Sequence, residues 1–169
     1  EMEAQNSRFL KSFSANYNSS KNGLEFGFGA AYGERAPSIT EAYGFYLFNS
    51  FENYDNIGSP NLKNETSLEG NVFIGLKKEK ITLKMASSYF RISNYIVGKP
   101  DTSLIPMTIG ATGVKIYTSL DYASIFNISF TSEIKFSREL KWNIQLVYGR
   151  GKDFNNVNLP LISPLSYST

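Results

Sequence analysis

From Val114 to Phe136 apolar and polar residues alternate with no Gly or Pro to interrupt them. Val114, Ile116, Leu120, Tyr122, Phe126, Ile128, Phe130, Ile134 and Phe136 fall on even positions, while Lys115, Asp121, Glu133 and Lys135 are all odd. Successive side chains of a strand point to opposite faces, so this period predicts one β-strand with an apolar and a polar face. At roughly 3.3 Å per residue the run extends on the order of 75 Å. Strands of water-soluble domains are usually much shorter, whereas this one, tilted by about 40°, crosses a hydrocarbon layer of about 30 Å and projects beyond it.

The same alternation predicts strands at Phe9–Tyr17, Leu24–Tyr32, Leu68–Leu76, Ile81–Tyr89 and Trp142–Tyr148, and a further one starts at "LSYST". The connections alternate in length. Short ones are expected at "NSSKNG" (18–23), "KKEK" (77–80) and "SREL" (137–140); long ones run from Gly33 for about thirty residues, over 96–112, and from Gly151 to about Pro164. The fold class expected is therefore all-β: an antiparallel up-and-down transmembrane β-barrel, present as a partial barrel of about six to seven strands, its short turns in the periplasm and its long loops outside. The charges Glu25, Glu69, Lys84 and Glu133 sit on the polar face, where they avoid the roughly 2–4 kcal/mol cost of a midplane cation in lipid. Tyr17, Tyr32, Tyr89, Tyr122, Tyr148, Phe136 and Trp142 fall near strand ends, at depths suited to amphipathic rings.

Composition narrows the chemistry. The 169 residues are 41% hydrophobic and carry a net charge of +2, with no His and no Cys. Without these two residue types, Ser-His-Asp catalysis, His-based metal sites and thiolate sites cannot be built from this chain. No catalytic residue, metal ligand or cofactor is expected. The small basic excess is dispersed, which gives no nucleic-acid footprint. No leader is visible at "EMEAQNS" and no apolar run has the length of a spanning helix.

From Gly33 onward, "GERAPSITEAYGFYLFNSFENYDNIGSPNLKNETSLEGNVFIG" resembles the C-terminal part of the barrel in TonB-dependent outer-membrane receptors, most like those of Bacteroidota. The resemblance is carried by Arg35, Pro37, Glu41 and Tyr43, then by Gly58, Asn61, Leu62, Lys63, Glu65 and Ser67 leading into Leu68, Glu69 and Gly70. Ser59 stands where an Asn is usual and Asn64 where a Pro is frequent; "ISNYIVG" (92–98) and "LPLISPLSY" (159–167) are further matches. The resemblance implies a barrel of about 22 strands with a plugged lumen, of which residues 1–169 are a C-terminal part without the plug domain and the earlier strands. It also implies energy-coupled import of a scarce nutrient, above all an iron-siderophore or related metal chelate. The implied partners are outer-membrane lipid, the TonB protein acting through the plug, and the small-molecule chelate; the implied location is the cell outer membrane.

One loop concentrates the candidate ligand-binding residues: Tyr43, Phe45, Tyr46, Phe48, Phe51 and Tyr54, with Arg35 or Lys63 to balance an anionic chelate. An aromatic wall of this kind grips an aryl or macrocyclic ligand, and the competing reading is a loop that packs on its neighbours to close the barrel mouth. Glu41, Glu52 and Asp55 are expected on a solvated loop surface rather than as a paired-carboxylate site. Gly27, Gly29 and Gly33 lack the helix of a nucleotide fingerprint and are expected to pack against an interior plug. "GRGKD" (149–153) is read as the start of a loop, and Gly58 as a turn. Two other functions share the alternation: a passive porin-like channel, and a soluble β-sandwich binding module.

Overall fold

A computed structural model describes residues 7–137, 140–160, 162 and 165–169. Residues 1–6, Arg138 and Glu139 of the turn expected at 137–140, and positions 161, 163 and 164 of the 159–167 motif lie outside the described residues.

The elements are β1 (Ser12–Lys21), β2 (Leu24–Arg35), α1 (Ile39–Tyr43), β3 (Leu47–Asn49), β4 (Tyr54–Ile57), β5 (Glu65–Lys77), β6 (Ile81–Asp101), β7 (Gly113–Lys135), β8 (Lys141–Asp153) and β9 (Ser166–Ser168). All nine strands belong to one sheet, ordered β1-β2-β5-β6-β7, with β8 and then β9 following on β7, and β4 and β3 also attached to β7. The sheet does not close on itself. Each of the six expected strands is present, and β7 matches its expected span to within one residue at either end. The chain divides into two units, the first made of residues 1–11, 34–66 and 93–121, the second of 12–33, 67–92 and 122–169; β2, β5, β6 and β7 contribute residues to both.

In the second unit the alternation sets the register. Across β7 and β8, Ile128 pairs with Tyr148, Phe130 with Leu146 and Ile134 with Trp142 on one face, while Thr131 pairs with Gln145 and Glu133 with Asn143 on the other. Across β1 and β2, Tyr17 faces Phe28 and Phe13 faces Tyr32, with the Tyr17 and Phe28 rings 5.4 Å apart. Phe28, Val72, Ile74, Met85, Trp142 and Leu146 are all exposed on this apolar face, Val72 by 56%. Apolar area facing water costs about 25 cal/mol per Å², so a face of this kind calls for hydrocarbon.

The opposite face is close-packed within the sheet. A Cβ on Gly27 would meet the Asn18 side chain and the Phe73 ring, and one on Gly29 would meet Asn16. Gly27 and Gly29 therefore make room for side chains of neighbouring strands, while the position of a Cβ at Gly33 is open.

The tight turns follow from local chemistry. Asn22 (φ 54°) and Gly23 (φ 80°) form a two-residue turn with both central residues left-handed, the geometry that suits the twist of a hairpin. The turn is shorter than the expected span 18–23, because β1 continues to Lys21. Lys77 N donates to Gly23 O at 2.7 Å, and Lys135 N donates to Lys80 O at 2.8 Å, so neighbouring strands are bonded down to their turns.

In the first unit, Ala42, Leu62, Ile96, Val114 and Leu120 form a small buried core. The β3–β4 hairpin adds to β7 in parallel, with Asp55 beside Val114 and Ile57 beside Ile116. This parallel addition departs from the expected all-antiparallel meander and lies within the expected long loop. Three expected boundaries also move: β1 begins at Ser12 and leaves Phe9 outside it, β6 continues to Asp101, and "GRGKD" belongs to β8.

Gly23→Val in the full-length protein is expected to cost about 1–3 kcal/mol, because it forces a β-branched residue to positive φ against the Lys77 carbonyl. Gly33→Val, with open space at its Cβ, is expected to stay within about 0.5 kcal/mol. Urea unfolding in detergent micelles measures both.

Candidate functional site

The long connection between β2 and β5 is built around buried carboxylates. At its start, Ser38-Ile39-Thr40-Glu41 forms a capping box: Glu41 N donates to Ser38 Oγ at 3.2 Å and Ser38 N donates to Glu41 Oε2 at 2.7 Å. The box satisfies two helix-terminal N–H groups and starts the five-residue helix α1 inside what the alternation had left as loop. The Ser-Xaa-Xaa-Glu spacing was the available signal for it.

Arg35 joins this helix to β5. Its Nη1 and Nη2 donate to Glu41 at 2.8 and 3.1 Å, and its Nε donates to Glu65 Oε2 at 2.6 Å. The other oxygen of Glu65 accepts Ile96 N at 2.7 Å. Glu65, itself buried, thus ties β2, β5 and β6 with one carboxylate. Hydrogen bonding to Glu65, and then to Glu41, pushes the Arg35 guanidinium further above its already high pKa. Burial pushes the Glu41 carboxyl up, but the bonds from Arg35 and Ser38 outweigh it and hold the group below the ordinary range. Next to this clasp, Arg8 donates to Leu62 O and to Asn64 Oδ1, and Asn94 Nδ2 donates to Asn64 O at 3.1 Å.

A second carboxylate anchors the connection between β6 and β7. Asp55 is fully buried, and its Oδ2 accepts Met107 N at 2.8 Å and Thr108 N at 2.9 Å. Burial raises its pKa, and the bonds from Thr108 and Met107 more than offset that, so the group lies below the usual aspartate value of 3.8. Glu52 pairs with Lys115 at 2.8 Å, and Lys115 Nζ lies 4.6 Å from the centre of the Tyr54 ring. The expected solvated surface for Glu41, Glu52 and Asp55 is therefore corrected. Each is engaged, because a loop of this length is held in shape only if its polar groups find partners. Among the described residues no three carboxylates gather as a metal site.

The aromatic candidates divide. Phe45 and Tyr46 meet edge to face at 5.0 Å, Tyr46 being half-buried at a positive φ of 50°. Tyr54 is half-buried against Lys115 and against Gly113, whose missing side chain makes room for the ring. Tyr43, Phe45, Phe48 and Phe51 are exposed, Phe51 by 78%. Arg35 sits apart in its clasp, and Lys63 is exposed. Gly58 is needed for close approach rather than a turn: a Cβ there would lie 2.7 Å from the backbone of Ala42, Tyr43 and Gly44. What alternation could not reveal was the role of Glu65 and Asp55, whose partners are remote in sequence.

No family model matches the chain, and no curated protein matches it. Solved structures do. The chain is similar to the copper transporter OprC, at a TM-score of 0.74 and 16% identity over 94% of this chain. It is similar to the siderophore receptor PirA from Pseudomonas aeruginosa, at 0.66 and 17% over 84%. It spans 23% and 28% of those two chains respectively. At these identities the likeness establishes the fold, that of part of a receptor barrel; it lends no support to the Bacteroidota-like affiliation.

Because Asp55 has a lowered pKa in the fold, its anchoring is present above about pH 4 and is lost as pH falls through the depressed value. Amide exchange at Met107 and Thr108 is expected to accelerate in that acid window in the full-length protein. Asp55→Ala, which removes the acceptor, should show fast exchange at neutral pH and no acid transition. Glu65→Ala, which strands the Ile96 N–H and the Arg35 Nε–H, is expected to cost about 1–3 kcal/mol and to raise proteolysis within 36–64.

Proposed function

We propose that this chain is part of the barrel of a TonB-dependent receptor that imports a scarce nutrient, an iron-siderophore or related metal chelate, across the outer membrane. The observation that carries the reading is a single sheet, apolar on one face and polar on the other, with the fold of a receptor barrel segment. Such a sheet has hydrocarbon on one side and a hydrated lumen on the other. A soluble sandwich would need a second sheet over the apolar face, and all nine strands belong to one. The two similar structures are a copper transporter and a siderophore receptor, which favours a metal-bearing cargo.

In this reading the exposed rings Tyr43, Phe45, Phe48 and Phe51 meet the cargo, while Arg35, Glu41 and Glu65 hold the loop that presents them. Aromatic faces grip an aryl or macrocyclic chelate through stacking and desolvation. The chain acts as a transporter and not as an enzyme. Energy reaches it from the TonB partner through a plug domain, and no cofactor takes part.

Deleting the gene for the full-length protein is expected to slow growth under iron limitation and to abolish saturable uptake of a labelled ferric chelate. Uptake that persists without TonB, or conductance through the purified protein alone, would instead mark a passive channel. Phe45→Ala and Phe51→Ala are each expected to weaken chelate binding about tenfold, roughly 1.4 kcal/mol, with folding unchanged.

A further inference from the structure

The apolar face of the second unit changes character at one end. On β8 the outward positions run Trp142, Ile144, Leu146 and Tyr148, then Arg150 and Lys152. On β6 they run Leu83, Met85, Ser87 and Tyr89, then Arg91. Register places Arg150 directly across from Phe126 and Lys152 across from Ser124, on the same face as the Ile128–Tyr148 and Phe130–Leu146 pairs. The Arg91 guanidinium lies 4.2 Å from the centre of the Tyr122 ring, and Tyr89 Oη bonds Ser124 Oγ at 3.1 Å. Tyr89, Ser124, Phe126, Arg150 and Lys152 line one shallow pocket of about 230 Å³.

Three cations thus stand among rings on a face that is otherwise uncharged between Trp142 and Tyr148. The ion pairs among the described residues involve Arg35, Lys115 and Lys135, and none engages Arg91, Arg150 or Lys152. At about 3.4 Å per residue and a tilt of about 40°, Arg150 lies roughly 21 Å and Lys152 roughly 26 Å from the level of Trp142. That is the far boundary of an apolar band about 25 Å tall. Cations inside the band are costly; at its boundary, beside amphipathic rings, they meet the anionic groups of lipid.

We propose that Arg91, Arg150 and Lys152 form a binding site for the phosphate-bearing headgroup of an outer-leaflet lipid, whose acyl chains lie on Phe126, Ile128 and Tyr148. The proposal rests on the membrane reading above, which sets the orientation of this face. Guanidinium groups suit the site because their planar donors take phosphate oxygens in pairs, and the Tyr122 ring lies under the Arg91 guanidinium. The charge complementarity favours a phosphorylated lipid over an acidic protein, since the cations are continuous with a surface that only acyl chains solvate.

The test uses the purified full-length protein in phosphatidylcholine vesicles doped with a bis-phosphorylated glycolipid, with the same glycolipid stripped of phosphate, or with inorganic phosphate in the buffer. Native mass spectrometry reads the lipid retained, and a fluorescent analogue gives its affinity. Wild-type protein is expected to retain the phosphorylated lipid alone. Replacing all three cations by Gln is expected to weaken it on the order of 100-fold, at about fivefold per cation, while R91K/R150K binds more tightly than R91Q/R150Q but below wild type and K84Q, on the opposite face, has no effect. Equal retention by the triple variant, a K84Q loss as large as the triple loss, or full competition by inorganic phosphate would each overturn the lipid site. Failure of wild-type protein to insert even into undoped vesicles would overturn the membrane reading as well, and is read separately from lipid retention.

Discussion

A backbone that enters hydrocarbon has no water to satisfy its N–H and C=O groups, so every one of them must be paired by a neighbouring strand. That requirement, combined with side chains that alternate between faces, governs the second unit. Pairing holds β7 to β8 from Lys135–Lys141 to Ala123–Asp153 without a break. It continues into the turns, where Lys77 reaches Gly23 and Lys135 reaches Lys80. Apolar partners then fall opposite apolar ones and make one continuous apolar face. The glycines of β2 have their place in the same scheme, because Asn16, Asn18 and Phe73 pack where side chains would otherwise stand.

The first unit solves a different problem. Its long connections carry polar backbone that no regular ladder covers, and two buried carboxylates do the covering. Glu65 accepts from Arg35 and from the Ile96 amide; Asp55 accepts from two amides of the β6–β7 connection. Removing either acceptor leaves donors stranded, which is why charged residues sit at buried positions in a unit with so small an apolar core. The rings these anchors leave exposed, Phe45, Phe48 and Phe51 among them, sit on a connection held by its carboxylates.

The alternation from Val114 to Phe136 determined the strand, its two faces and its length, because a period of two has one structural solution and leaves each side chain no choice of face. The same logic fixed the other long strands and the short turns between them. The helix α1 had a local signal in Ser38 and Glu41 that strand periodicity does not register. Tertiary structure alone decided the rest: that Asp55, drawn from an acidic-looking loop, is fully buried; that β4 adds to β7 in parallel; that Arg35 serves two carboxylates; and that Arg91 comes to lie on the Tyr122 ring. Apart from the Arg35–Glu41 bond, those pairings join residues thirty or more positions apart, and a contact of that kind depends on register and loop closure, which no local pattern of residues encodes.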